Sequence, residues 1–462
     1  MKNKGFTLVE LLAVIVVLSI IALIGYSTVG NIISSTQDNS NKITMKNYAK
    51  AVDQAVFLYE MNNPDSTLPD LNSEEWLSNV KFEKATVKCD NITYDKTSSL
   101  YGCTVNNSDK TYCYTGDTAV ECTPKGISKI YGESIQNGTP TPTSPVEIES
   151  VGEKTKNLFD KSAATLGKNL NASTGDLYDS QVRGVSDYIK IDPSKQYTFL
   201  YNSNVGTASR YLLCYDENKA FISSCYNIVS GSSSTKWTLE FKSATVKYIR
   251  ANFFWNVNDS ASEINDFMIY EGSNDEVYEP YGYKIPITVS NGSDTKTTNI
   301  YLKEPLRKIG EYADYLDLTS KKVVRNIKEV VFNGTEVLTK VDTTSLKTEY
   351  IYPQMKLISS NSTSIIWTST HINLGITTYA PYMPTAIEFR DINRNFNIEY
   401  DITKFQAWLK EQYNLNNPMK IDYVLETPTE ESIDVPEISS LTGNVTYSID
   451  TPVQPSKIEY RY

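Results

Sequence analysis

Three patterns of apolar and polar positions follow one another along the 462-residue chain. The first is an almost unbroken apolar run. From Leu11 to Ile24 only Ser19 is neither aliphatic nor alanine, and Phe6 to Gly25 as a helix would be about 30 Å long, one hydrocarbon core. The second has a helical period: Tyr48, Ala51, Val52, Ala55, Val56, Leu58 and Tyr59 recur at spacings of three and four, an apolar stripe that needs a partner surface, until Asn62-Asn63-Pro64 ends it. One helix from about Thr7 to Met61 is expected, with a weak point near the polar run STQDNSNK and the flanking Gly25 and Gly30.

The third pattern is short and strand-like. KFEKATVKC, LYGCTV and TYCYTG, separated by turn residues, predict a small sheet over 63–125 that receives the apolar stripe of the helix. Residues 126–156 are rich in Gly, Pro, Ser and Thr and read as a partly extended linker. Beyond it DYIKI, QYTFLYN, RYLLCYD, KWTLEF, VKYIRANFFW and DFMIY, with turn clusters between them, predict a β-sandwich over 157–283, jelly-roll-like. A further β-rich domain fills 284–462, with one helix, ITKFQAWLKEQYN, preceded by Asp401 as N-cap. The expected class is α+β.

Glu10 is out of place at the edge of the apolar run, because a lipid-facing carboxylate costs on the order of 2.5 to 3.5 kcal/mol near a helix centre. A secretory signal would have a neutral apolar segment and a small-x-small cleavage site; Glu10 spoils the first, and IALIGYS lacks the second. The block GFTLVE, with Gly5 before Phe6 and Glu10 four residues beyond, resembles the type IV pilin and pseudopilin family. The resemblance implies residues 1–5 as a leader, cleavage after Gly5 by a prepilin peptidase, methylation of the new N-terminal Phe6, and a helix over 6–62 whose first half spans the membrane. Residues 63–125 would be the pilin's globular sheet. Its partners would be other pilin subunits, the cell membrane, and an assembly platform and ATPase. Glu10 would neutralise the Phe6 amine of a neighbouring subunit, since a cation in a low-dielectric bundle requires an opposite charge. Lys2 and Lys4 precede the span, so the positive-inside rule sends everything after Gly25 out of the cytoplasm.

The six cysteines agree with an oxidising compartment, and all lie beyond the apolar run. Cys89, Cys103, Cys113 and Cys122 allow three connectivities; Cys89 with Cys103 and Cys113 with Cys122 are favoured because each pair brackets a short strand-rich loop, and Cys214 with Cys225 would tie a hairpin. No C-x-x-C pair occurs and His371 is the one histidine, so neither a zinc site nor any cofactor is expected. The run DINRNFNIEYD starts like a calcium loop, but Phe396 stands where the glycine is required.

A net charge of −11 argues against nucleic-acid binding, which needs concentrated Lys and Arg. Lacking a G-x-S-x-G elbow, a P-loop or H-E-x-x-H, the chain is expected not to be an enzyme.

A second resemblance covers residues 131–462. ESIQNGTPTPTSPVEIESVG, NLFD, EPLRKIGEYADYLDL, VVFNGTE and DVPEISSLTGNVTYSIDTPVQPSKIEY look like the distal part of tail and minor structural proteins of phages and prophages, and the middle segment, closing on IYEGSNDEVYEPYG, is similar to carbohydrate-binding modules. It implies surface attachment with a glycan as ligand. Trp237, Trp255, Tyr211 and Tyr226 are the candidates for stacking on sugar rings, although aromatic residues serve strand packing as readily. Together these readings describe a minor pilin-like subunit of a surface filament with an adhesive C-terminal region. The alternatives are a pseudopilin of a type II secretion or competence apparatus with a structural head, and a phage-derived virion attachment protein.

Overall fold

The computed structural model describes residues 8–64, 66–82, 85–136, 148–201, 211–232, 236–255, 266–340, 345–348, 366–368, 374–378, 387–391, 402–415, 418–438, 441 and 445–462; in the N-terminal helix, side chains are described at 12, at 14–17 and from 32 onward. Gly5, Phe6, His371, Asp401 and the calcium-loop-like run after Asp391 lie outside these residues. The chain forms two compact units, one of residues 1–128, 442–446 and 459–462, the other of 129–441 and 447–458.

The first unit is one helix on one sheet. The helix runs unbroken over Leu8–Asn62, 55 residues, so the polar run at 35–42 does not interrupt it. Its outer half buries Met45, Tyr48, Ala49, Val52, Ala55 and Val56. The register differs slightly from the expected stripe: Leu58 is exposed, and Met45 and Ala49 join the core instead. They pack on Leu71, Trp76, Ile92, Leu100, Val105, Tyr112 and Tyr114, each large side chain contributing roughly 1.5–3 kcal/mol on full burial. The sheet is antiparallel, in the order Val87–Lys88, Thr97–Val105, Tyr112–Thr115, Thr118–Glu121, with Asn91–Asp95 also paired to Thr97–Val105. Polar contacts fix the helix against it. Asp38 accepts from the Tyr112 hydroxyl at 3.1 Å and from Lys42 at 2.7 Å, and Asp53 accepts from the Ser98 amide at 2.6 Å. The disulfides Cys89–Cys103 and Cys113–Cys122 staple this sheet.

Residues 137–147 of the expected linker lie outside the described residues, and the parts on either side carry strands. Within 126–156 the chain forms Gly126–Tyr131, Ser134–Gln136, Ile148–Ser150 and Glu153–Lys154, because Ile127, Ile130 and Val151 are fully buried despite the Gly and Ser around them. The last residues, Glu459–Tyr462, return to the first unit: the Lys125 amide donates to Arg461 O at 2.6 Å, and the Tyr462 hydroxyl donates to Asp90. Gly102, with φ +61° at a bulge between Leu100 and Cys103, leaves the space that the Tyr462 ring fills.

In the second unit two antiparallel sheets share one core. One has the order Thr165–Leu170, Leu177–Val185, Tyr248–Phe254, Leu212–Tyr215, Phe221–Ile222; the other Tyr226–Ser232, Lys236–Phe241, Gln196–Leu200, Met268–Glu271. Alternation along Tyr248–Phe254 sends Ile249, Ala251 and Phe253 into that core, with Phe159, Phe199, Trp237 and Phe267. Tyr248 belongs to a second cluster with Leu170, Val185, Leu213 and Tyr215. The Cys214–Cys225 bridge joins the two sheets.

Elsewhere in this unit Lys420–Ser432, Lys322–Val331 and Tyr315–Asp317 form the middle of a six-stranded sheet, and the helix Ile402–Asn414 lays Phe405 and Leu409 on Ile327, Ile421 and Tyr423. Beside this sheet lies a buried ionic cluster. Arg307 reaches Glu304 at 2.8 Å, Asp422 at 3.6 Å and Glu329 at 3.7 Å, while Arg325 reaches Asp314 at 3.4 Å.

Candidate functional site

The N-terminal segment is helical from Leu8, which places Glu10 in its first turns. The side chains described there are open: Leu12 is 60% exposed, and Val14, Ile15, Val16 and Val17 about half exposed. Ile32 and Ile33 continue the pattern. A helix that is apolar all round needs an apolar environment on every side. Among the described residues no helix is long and apolar enough to cross a membrane, and most side chains of the Leu11–Ile24 run lie outside that set.

The aromatic candidates of the second unit separate by burial. Trp237 is 2% exposed, its ring 5.2 Å from Phe199 and 5.7 Å from Tyr226. It is a core residue of its strand, and in this conformation offers no face to a ligand, which corrects the expectation for this position; a β-strand buries alternate aromatics whether or not a ligand exists. Tyr226 is half-buried against the same core, and burial pushes its hydroxyl up from the ordinary range. Tyr211 is half-buried too; its hydroxyl donates to Leu170 O and Asn169 Oδ1, and burial raises it to about 12. Trp255 lies half-buried at the end of its strand, its amide donating to Val182 O at 3.2 Å. The structure therefore brings Trp237 and Tyr226 together, inside the fold, while Tyr211 belongs to the other cluster.

Among the described residues of this unit, two clefts stand out. The larger, about 420 Å³, lies between the helix Ile402–Asn414 and a face carrying Lys190, Glu217, Lys247 and Tyr248. Lys190 donates to the final carbonyls of that helix, Tyr413 O at 2.6 Å and Asn414 O at 2.8 Å, the position where a cation complements the helix dipole. Burial, then the neighbouring Lys247, pull its pKa down to about 8. Lys190 is engaged in capping, and the other charges on the lining, Glu217, Lys247, Lys410 and Glu411, are mixed in sign. The smaller, about 180 Å³, is lined by Phe159, Asp160, Tyr278, Tyr281 and Tyr301. Its pieces come from NLFD with the following Lys161 and Ser162, from VYEPYG over a hundred residues on, and from Tyr301, Leu302 and Lys303, and sequence reasoning missed it because none of these phrases carries chemistry alone. Among the described residues no three His, Cys, Asp or Glu side chains converge as metal ligands.

A family model described as the prokaryotic N-terminal methylation motif matches residues 1–26. No curated protein matches the chain, and no solved structure does.

Proposed function

We propose that this chain is the precursor of a type IV pilin-like subunit, cut after Gly5, methylated on Phe6, and assembled through its N-terminal helix into a surface filament that carries the second unit as an adhesive, glycan-binding head. The observation that carries this reading is the methylation motif over residues 1–26, followed by one continuous helix whose outer half packs on a disulfide-tied sheet. The exposed Leu12, Val14–Val17, Ile32 and Ile33 support assembly, since they remain open after the helix has packed on its own sheet.

Cleavage creates an α-amine at Phe6. Packed among neighbouring helices in low dielectric, that cation requires a countercharge, and Glu10 of the adjacent subunit supplies it, favouring one axial stagger over others. Before assembly the apolar run holds the precursor in the cytoplasmic membrane; afterwards the head stands outside the cell. Successive subunits of a helix-packed fibre advance by short steps, so a head this large would crowd its neighbours, and the subunit is a minor one. The two sheets about one core accord with a jelly-roll-like sandwich of the carbohydrate-binding kind. This reading gives the chain no catalytic role.

Mass spectrometry of the mature protein tests it. The N-terminal peptide should begin at Phe6 and carry an added methyl group, and Gly5→Val should retain the leader. An N-terminus at Met1 or near Ser27 refutes the assignment.

A further inference from the structure

We propose that the cleft formed where the NLFD and VYEPYG segments meet, with Tyr301 and Lys303 beside them, binds a single sugar ring, with Tyr278, Tyr281 and Tyr301 as its aromatic walls and Asp160 as the acceptor for a ring hydroxyl. The proposal rests on the adhesive reading above and gives that reading a site.

The walls are fixed before any ligand arrives. Asn157, 3% exposed, uses its whole amide to join the two segments: Oδ1 accepts from the Phe159 amide at 2.9 Å and the Ile269 amide at 3.2 Å, while Nδ2 donates to Glu279 O at 3.0 Å. The Thr155 amide donates to Gly282 O at 2.9 Å, and Glu279 holds the Lys156 amide at 3.2 Å and Lys284 at 2.8 Å. Asp160 and Tyr281 are therefore placed by backbone ties rather than by a mobile loop, and a preformed site avoids the cost of ordering loops on binding.

Size and chemistry then narrow the ligand. At about 180 Å³ the cleft is smaller than the roughly 300–1,000 Å³ of pockets for drug-sized ligands, so it takes one ring and leaves the rest of a chain outside. Phe159, 2% exposed, closes the floor; Tyr281, 40% exposed, stands at the rim, and Tyr278 and Tyr301 are half-buried. Such rings present apolar faces to the C–H face of a sugar and polar tips to its hydroxyls. Asp160, on the cleft lining, accepts at Oδ1 from the Ser162 amide at 2.8 Å and the Ser162 hydroxyl at 2.6 Å, which fixes its carboxylate. A carboxylate accepts from sugar hydroxyls, and Lys161 and Lys303 on the same lining are donors to them. Burial pushes the Tyr278 hydroxyl up to about 12, so it stays a neutral donor throughout the physiological range.

The full-length protein in detergent micelles is titrated with a panel of neutral methyl pyranosides and with methyl glucuronide, read by saturation-transfer NMR. At least one of these pyranosides should bind, at millimolar to micromolar affinity. Tyr281→Ala and Asp160→Asn should each weaken it about tenfold or more, with unchanged thermal unfolding. Binding that survives Tyr281→Ala and Tyr278→Ala together overturns the site and leaves the adhesive reading standing. If no panel member binds, the site is overturned, and adhesion of intact filaments to glycan-coated surfaces decides the wider reading: adherent filaments retain it, non-adherent ones end it too.

Discussion

Asp314 offers the sharpest test of how the second unit is held together. Pairing between Lys322–Val331 and Lys420–Ser432 breaks register between Arg325 and Ile327. A bulge of that kind takes backbone amides out of the ladder, and here one carboxylate collects them. Asp314 Oδ1 accepts from the Asn326 amide at 2.8 Å and the Ile327 amide at 2.9 Å; Oδ2 accepts from the Arg307 amide at 3.1 Å and from Arg325 at 3.4 Å. The residue is fully buried. Asp314→Ala leaves three amides unsatisfied and Arg325 without its carboxylate, although Arg325 keeps Pro305 O at 2.6 Å and Glu304 O at 2.9 Å. Each orphaned buried donor costs about 1–3 kcal/mol and a broken buried ion pair about 3–5 kcal/mol; with partial relaxation the loss should be about 4 kcal/mol or more. Asp314→Asn keeps an oxygen for the two bulge amides and loses only the Arg307 and Arg325 side, so about half that loss is expected. Urea unfolding followed by tryptophan fluorescence measures both. A loss below about 1 kcal/mol for Ala, or equal losses for Ala and Asn, would show that the bulge amides find other partners.

Two further outcomes follow from buried or returning groups. Asp422 is 1% exposed with Oδ1 lacking a hydrogen bond, and burial raises its pKa to about 7 against the pull of Arg307, with Glu329, Lys420 and Asp314 also facing it. A folded pKa above the unfolded value near 3.9 means that the native state holds the proton longer, so this group lowers stability as pH climbs from about 4 to about 7 and by a constant amount above that. Asp422→Asn should remove that slope and stabilise by about 2 kcal/mol at pH 8, less than the full shift because Arg307 loses an ion pair and keeps Glu304 and Glu329; identical pH profiles for the two proteins would refute it. Tyr462→Phe removes the hydroxyl that bonds Asp90 and should cost the first unit about 1–2 kcal/mol, seen as a lower transition in Trp76 fluorescence; an unchanged transition would make the C-terminal return incidental.

Local patterns were legible where one period governs a long stretch. The helix expected from about Thr7 to Met61 is Leu8–Asn62, and ITKFQAWLKEQYN is the helix Ile402–Asn414 residue for residue. DYIKI, QYTFLYN, RYLLCYD, KWTLEF, VKYIRANFFW and DFMIY each contain a strand. The strands Thr165–Leu170 and Leu177–Val185 escaped, because TLGKNL and LYDSQVRGV mix glycine and charge with few apolar residues and are held by their neighbours rather than by their own alternation. The ends of the stretch 126–156 differ from the linker reading for the same reason in reverse: their composition is that of a loop, yet Ile127, Ile130 and Val151 are pinned by partners distant in the chain, while 137–147 lie outside the described residues.

What the sequence by itself determined is therefore whatever depends on neighbours in the chain: the methylation motif with Glu10 four residues beyond Phe6, the long helix, and short cysteine loops whose favoured pairings match the bridges present. What only the tertiary structure decided depends on groups far apart along it. Burial of Trp237 and exposure of Tyr281 cannot be told from residue type, since both are aromatics in β-rich sequence, and which face is covered is settled by the opposing sheet. Asp160 and Tyr281 share a cleft because Asn157 ties NLFD to Glu279, and Asp314 finds its bulge amides a dozen residues on. Hydrogen bonds and burial are satisfied in space, and a one-dimensional pattern records them only where space and sequence run together.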